Sequence, residues 1–155
     1  MYDYWVVTDK TTGRVIAHCG EENDALMLVG FDKIRPPEMA QNVERFSDVD
    51  KIVENFSGHK ILVLHQGITE FNKFAGELQS TDLPKNFTYY AMGHLHDKDM
   101  KQFNHLKGPI AYPGSIELTT SEGIKDIKKG FFEVDISGDE AVPKWIELDT
   151  RPQFS

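Results

Sequence analysis

Two apolar runs that each lead into histidine decide the fold: ILVLHQG at residues 61–67 and YYAMGHLH at residues 89–96. A continuous apolar run of this length is typical of a strand that is buried on both faces of a parallel sheet. Binding sites in open α/β sheets lie beyond the carboxyl ends of such strands. If the two runs are neighbouring parallel strands, their histidines therefore arrive at one edge of the sheet.

The three histidines of these runs are candidate metal ligands. His65 follows the first run, and His94 and His96 follow the second. Residues two apart in extended backbone point to the same side, so we expect both imidazoles of the second run on one side and Leu95 in the core. Three convergent imidazoles suit Mn, Fe, Co, Ni or Zn, whereas Ca²⁺ and Mg²⁺ prefer oxygen ligands. The alternative interpretation of each histidine is a hydrogen-bonded group without a metal.

The flanking segments predict a mixed α/β class that is mostly β with a few helices. Short apolar or alternating runs bounded by turn residues predict the remaining strands, at residues 4–8, 14–19, 26–29 and 110–112, and an antiparallel hairpin over residues 131–149. One helix is expected from Ser47 as its cap to Phe56, because apolar residues follow the helical spacing and Gly58 stands at the C-cap position. The length of 155 residues favours a single domain.

Composition limits the class of protein. The chain has 17 basic and 25 acidic residues, for a net charge of −8, which disfavours a generic nucleic-acid coat. No apolar run approaches the roughly 20 residues of a membrane-spanning helix, and the N-terminus lacks the basic region of a signal peptide. Cys19 is the single cysteine, so no intrachain disulfide is possible. We therefore expect a cytoplasmic protein without a membrane partner.

The ordered set of HQG at 65–67, GHLH at 93–96 and YPGS at 112–115 resembles the C-terminal half of a calcineurin-like metallophosphoesterase domain. The tail narrows the resemblance to the double-strand-break repair nucleases of the "meiotic recombination eleven" and SbcD type, through GFFEV at 130–134 and PKWIEL at 143–148. The resemblance is good over residues 59–152 and weak over residues 1–58. It implies that residues 1–155 are one domain, part of a four-layer β-sandwich with flanking helices.

The resemblance also implies a two-metal site that is usually assayed with Mn²⁺. His65 and His94 match ligands of one metal, and His96 matches a ligand of the other. The remaining ligands of the family come from DxH, GD and GNHD motifs; this chain has no DxH or GNHD motif, and residues 10–64, which precede His65, contain no GD. Asp9 faintly echoes the first motif, but no histidine follows it, and we assign it to a hairpin. We therefore assign no catalytic residue to this chain and expect it to be inactive in isolation.

The implied function is Mn-dependent phosphodiester hydrolysis at DNA ends during double-strand-break repair. The resemblance implies DNA, an ABC-type ATPase with a coiled coil and a second copy of the protein as partners, and a location at the nucleoid. His105, in a segment that contains several lysines, and Ser115, in the PGS turn, are candidate substrate-binding residues. Two alternatives remain open: a small-molecule phosphodiesterase or phosphatase of the same scaffold, and a non-catalytic interaction segment.

Overall fold

A computed structural model describes residues 26–31, 46, 48–51, 53–117 and 128–150. In chain order, the strands of these residues are β1 (Leu26–Gly30), β2 (His59–His65), β3 (Tyr89–Gly93), β4 (Asp99–Lys101), β5 (Ile110–Tyr112), β6 (Gly130–Asp135) and β7 (Val142–Glu147). A short 3₁₀ helix occupies Ser80–Asp82, and residues 46 and 48–51 have helical backbone. The strands predicted at 4–8 and 14–19, together with Asp9 and Cys19, lie outside the described residues.

Five strands form one sheet in the order β1-β2-β3-β5-β4. The pairs β1–β2, β2–β3 and β3–β5 are parallel, and β4 adds an antiparallel edge to β5. The register places Val63 beside Ala91 and His65 beside Gly93. The two apolar runs are therefore neighbouring parallel strands, as the sequence predicts, and the strands predicted at 26–29 and 110–112 are confirmed as β1 and β5.

The larger core lies between one face of the sheet and the helical residues and loops that cover it. Tyr90 and Tyr112 are fully buried there, beside Phe46 and Val53 from the helical region. The phenol of Tyr90 donates a hydrogen bond to the carbonyl oxygen of Pro84 at 2.5 Å, which satisfies its polar end inside an apolar environment. This layer fixes the carboxyl ends of β2 and β3 against the loops that follow them.

The hairpin of β6 and β7 covers part of the opposite face. The strands pair antiparallel, with Phe132 opposite Trp145. Phe132, Val134 and Ile136 pack toward a second cluster that contains Tyr89 and Ala111 of the sheet. The predicted hairpin and its alternation are confirmed. The molecule is thus a mixed α/β fold with a mostly parallel sheet and few helices, which is compatible with part of the predicted sandwich.

Two local predictions are wrong. Phe46 is already helical and residues 53–55 form turns, so the helix begins earlier and ends earlier than the pattern indicates. In β2, burial alternates along the strand and Val63 is 43% exposed, so this strand is not buried on both faces. The cause is the position of the hairpin, because its apolar face packs near Ile61 and Tyr89. Within the described residues, an apolar groove remains along the sheet beside Val63.

Candidate metal-binding edge of the sheet

His65 and His94 meet at the carboxyl edge of the sheet. Because β2 and β3 are parallel and His65 pairs with Gly93 in register, the residue after Gly93 lies beside the end of β2. The two imidazole rings cross edge to face, with 5.5 Å between their centroids. Gly93 makes this approach possible, since a Cβ at that position would lie only 2.8 Å from Nδ1 of His65.

The backbone at His94 turns sharply out of the strand. β3 ends at Gly93, and His94 has φ +94°. This is an unusual conformation for a residue with a Cβ, and such conformations concentrate at functional sites. The prediction that His94 and His96 share one side of an extended segment is therefore wrong, because the strand ends before both residues. Leu95 packs against the core as expected.

His96 lies in the loop beyond this turn, and its imidazole is exposed. Its carbonyl oxygen accepts hydrogen bonds from the backbone N–H of Ser115 and from Nζ of Lys129, each at 3.1 Å. Among the described residues, no three side chains of histidine, cysteine, aspartate or glutamate are grouped closely enough to hold a metal ion. The structure thus brings together His65 and His94, and the role of His96 as a metal ligand stays a prediction.

Glu77 is a residue of the site that the sequence does not reveal. Its Oε2 accepts hydrogen bonds from Nε2 of Gln66 at 3.1 Å and from the backbone N–H of Gly67 at 3.2 Å. The same oxygen lies 3.9 Å from Nε2 of His94. A carboxylate beside a histidine fixes the orientation of the imidazole at many metal sites. The fully buried amide of Gln66 signals that a polar partner is needed, but the sequence does not say which residue supplies it.

Tyr112 anchors the main chain just after β2 through two hydrogen bonds, one to Gln66 and one to Ile68. Its hydroxyl donates to the carbonyl oxygen of Gln66 at 2.7 Å and accepts the backbone N–H of Ile68 at 3.0 Å. Burial raises the pKa of Tyr112 far above its ordinary value, and the nearby carboxylates of Glu77 and Glu70 add to the rise. The phenol therefore keeps its proton and its donor role. The sequence identifies this residue only as part of the strand at 110–112 and of the YPGS motif.

The chain is similar in sequence to archaeal proteins that are named DNA double-strand break repair protein Mre11. The chain is 39% identical to the DNA double-strand break repair protein Mre11 of Methanocaldococcus jannaschii over 124 residues, which are 78% of this chain and 32% of the relative. It is 30% identical to Mre11 of Methanococcus maripaludis over 132 residues, which are 83% of this chain and 35% of the relative. The chain belongs to the Mre11 family. It spans about one third of the length of these relatives, and no family model matches it.

The two candidate substrate-binding residues of this Mre11-family chain differ in their surroundings. His105 is exposed in the segment between β4 and β5, and its ring packs against Phe103 with centroids 5.6 Å apart. Ser115 lies beside the histidine edge through its hydrogen bond to His96, and its buried Oγ has no hydrogen-bond partner. Contact with DNA stays a prediction for both. In the part of the chain that the structure describes, no helix is long and apolar enough to cross a membrane.

The donor set fits one side of a divalent-metal site. His65 and His94 offer two imidazoles at the ends of adjacent strands, and Oε2 of Glu77 lies 3.9 Å from Nε2 of His94. Imidazole suits first-row transition metals, but a site for Mn²⁺ also needs oxygen ligands. The edge therefore offers two imidazole donors of the kind that such a site uses, and among the described residues no third histidine, cysteine, aspartate or glutamate completes the set.

Proposed function

We propose that this chain supplies the histidine side of a divalent-metal nuclease site that hydrolyses DNA in double-strand-break repair, with Mn²⁺ as the metal. The observation that carries the proposal is the convergence of His65 and His94 at the carboxyl edge of adjacent parallel strands. The names of the relatives, which are DNA double-strand break repair proteins, support DNA as the substrate.

Each residue of the edge has a distinct task in this proposal. His65 and His94 would hold one cation through their imidazoles, and His96 would hold a second. A pair of bound cations supplies Lewis acidity and an activated water for attack on a phosphodiester. Glu77 orients His94, and Tyr112 fixes the main chain that follows His65.

The wider assembly follows from the resemblance over residues 59–152. We propose that residues 1–155 belong to one metallophosphoesterase domain, that the whole protein acts as a dimer at the nucleoid, and that it works with an ABC-type ATPase that has a coiled coil. Ser115 and His105 are proposed contacts to the phosphates of DNA. Support for Ser115 comes from its position beside the histidine edge, where its backbone N–H donates to the carbonyl oxygen of His96.

Mn²⁺ titration of the purified polypeptide, followed by the electron paramagnetic resonance signal of the free ion, tests the proposal. We expect His65→Ala and His94→Ala each to weaken binding at least about tenfold, since each removes a direct ligand. His59→Gln is the matched control, because His59 lies at the opposite end of β2. Equal Mn²⁺ affinity in the wild type and both alanine variants would overturn the proposed site.

A further inference from the structure

Three segments of the chain meet at the carbonyl oxygen of His96. One donor is the backbone N–H of Ser115, in the turn after β5, and the other is Nζ of Lys129, the residue before β6. Lys129 is only 2% exposed. Burial of an ammonium group costs free energy unless polar atoms surround it, so this side chain is committed to the interior contact and not to solvent.

The loop that carries His96 depends on such contacts. β3 has ended at Gly93, and His94 has a positive φ, so no strand ladder fixes the main chain that follows. The turn at Gly114 approaches closely, since a Cβ on that residue would lie 2.6 Å from the carbonyl oxygen of His96. Hydrogen bonds from Ser115 and Lys129 to this oxygen therefore hold the peptide that follows the Cα atom of His96.

A second contact joins the same loop to the hairpin. Nζ of Lys98 lies 4.5 Å from the centroid of the Trp145 ring in β7. Two contacts hold together the open end of the hairpin, where β6 begins and β7 ends. The carbonyl oxygen of Lys129 accepts a hydrogen bond from the backbone N–H of Leu148 at 2.8 Å, and the ring of Trp145 packs directly on Gly130. The loop is thus attached to the hairpin at both Lys98 and Lys129.

We propose that Lys129 is a positioning residue for His96. Its buried ammonium links the packing of the β6–β7 hairpin to the position of the His96 peptide. The further step, that His96 binds a metal, rests on the proposed function. The contact itself belongs to the metal-free protein. Removal of the ammonium takes the Lys129 donor away from the His96 peptide, whereas His65 stays paired with Gly93 in the β2–β3 ladder and His94 stays beside Glu77.

Nuclear magnetic resonance of Lys129→Met tests the proposal, because methionine keeps an unbranched side chain for packing and loses the charge and the donors. We expect the amide and imidazole resonances of His96 to shift more than those of His65. We also expect Mn²⁺ to broaden the His96 resonances of the wild type and to broaden them about tenfold less at equal Mn²⁺ in the variant. Lys129→Arg keeps a cationic donor and should restore most of both effects.

The matched control is Lys128→Met, since Lys128 is exposed and pairs with Glu147 at 2.7 Å. It should leave the His96 resonances unchanged. If Lys129→Met lowers the melting temperature without shifting His96 relative to His65, the residue is only structural and the inference fails. If that variant does not fold, the same comparison on Lys129→Gln, whose shorter side chain withdraws the donor, decides. A wild type that Mn²⁺ does not broaden contradicts the proposed function, and the metal-free shifts still decide the role of Lys129.

Discussion

At the scale of the residue, one oxygen of Glu77 organises the metal edge, because it contacts Gln66, Gly67 and His94. Glu77→Gln keeps the size of the side chain and removes its charge. We expect about a tenfold loss of Mn²⁺ affinity, the usual effect of losing an outer carboxylate that orients a ligand. Isothermal titration calorimetry measures it. Glu133→Gln, on the exposed side of β6, is the control, and unchanged affinity in Glu77→Gln would contradict the orienting role.

Gly93 offers a way to move one imidazole without touching the other residues of the edge. In Gly93→Ala the new Cβ would lie 2.8 Å from Nδ1 of His65, and the exposed imidazole can move away from it. We expect weaker Mn²⁺ binding with a change in the free energy of unfolding within about 1 kcal/mol. Gly138→Ala, where a Cβ meets nothing within 4 Å, is the control. Urea denaturation and Mn²⁺ titration of the same samples separate the two effects.

Buried tyrosines predict how stability depends on alkaline pH. Burial raises the pKa of Tyr89 from 10.0 to about 12, and it raises the pKa of Tyr90 and Tyr112 further. The folded chain therefore holds protons that the unfolded chain releases at its ordinary pKa. This contribution to stability is fully present below pH 10 and is lost as the pH rises through about 12. Melting temperatures followed with absorbance at 295 nm check it; phenolate formation near pH 10 without a fall in melting temperature would oppose it.

At the scale of the element, the hairpin depends on close packing at its base. A Cβ on Gly130 would lie 2.1 Å from the carbonyl oxygen of Ile146 and 2.5 Å from Cζ2 of Trp145. Because the first of these atoms belongs to the backbone, the strand itself must shift. We expect Gly130→Ala to cost about 1–3 kcal/mol of unfolding free energy, measured by urea denaturation with Gly138→Ala for comparison. A stable Gly130→Ala would show that the hairpin base is not rigid.

Elements with a strong local pattern could be predicted from the sequence, and those set by distant contacts could not. The apolar runs of β2 and β3 and the alternation of β6 identify these strands by themselves. β4, three residues long with two of them charged, exists because it pairs with β5. The turn at His94 depends on where β3 ends, and Glu77 reaches Gln66 from eleven residues downstream. Neither feature leaves a periodic signal, so the sequence identifies the histidines but not the residues that support them.

At the scale of the whole molecule, loops from three parts of the chain meet at the carboxyl edge of the sheet. The segment after β2 is held by Tyr112, and the loop after β3 is held by Ser115 and Lys129. The histidines themselves project from ends that parallel pairing aligns. This arrangement makes the edge a product of the complete fold, and so its metal affinity should fall together with global stability on denaturation.

Cleavage of DNA by the 155-residue polypeptide requires more than its histidine edge. Hydrolysis with two cations needs carboxylates that bridge and neutralise them. The sequence has no DxH or GNHD motif, and its one Gly-Asp pair, Gly138-Asp139, lies in the turn between β6 and β7 and not before the histidines. The net charge of −8 also opposes unassisted contact with DNA phosphates. We therefore expect weak Mn²⁺ binding and no degradation of linear duplex DNA by this polypeptide. Electrophoresis of end-labelled duplex DNA with Mn²⁺ measures it, with His94→Ala as the comparison. Degradation that disappears in His94→Ala would show that the histidine edge suffices for cleavage.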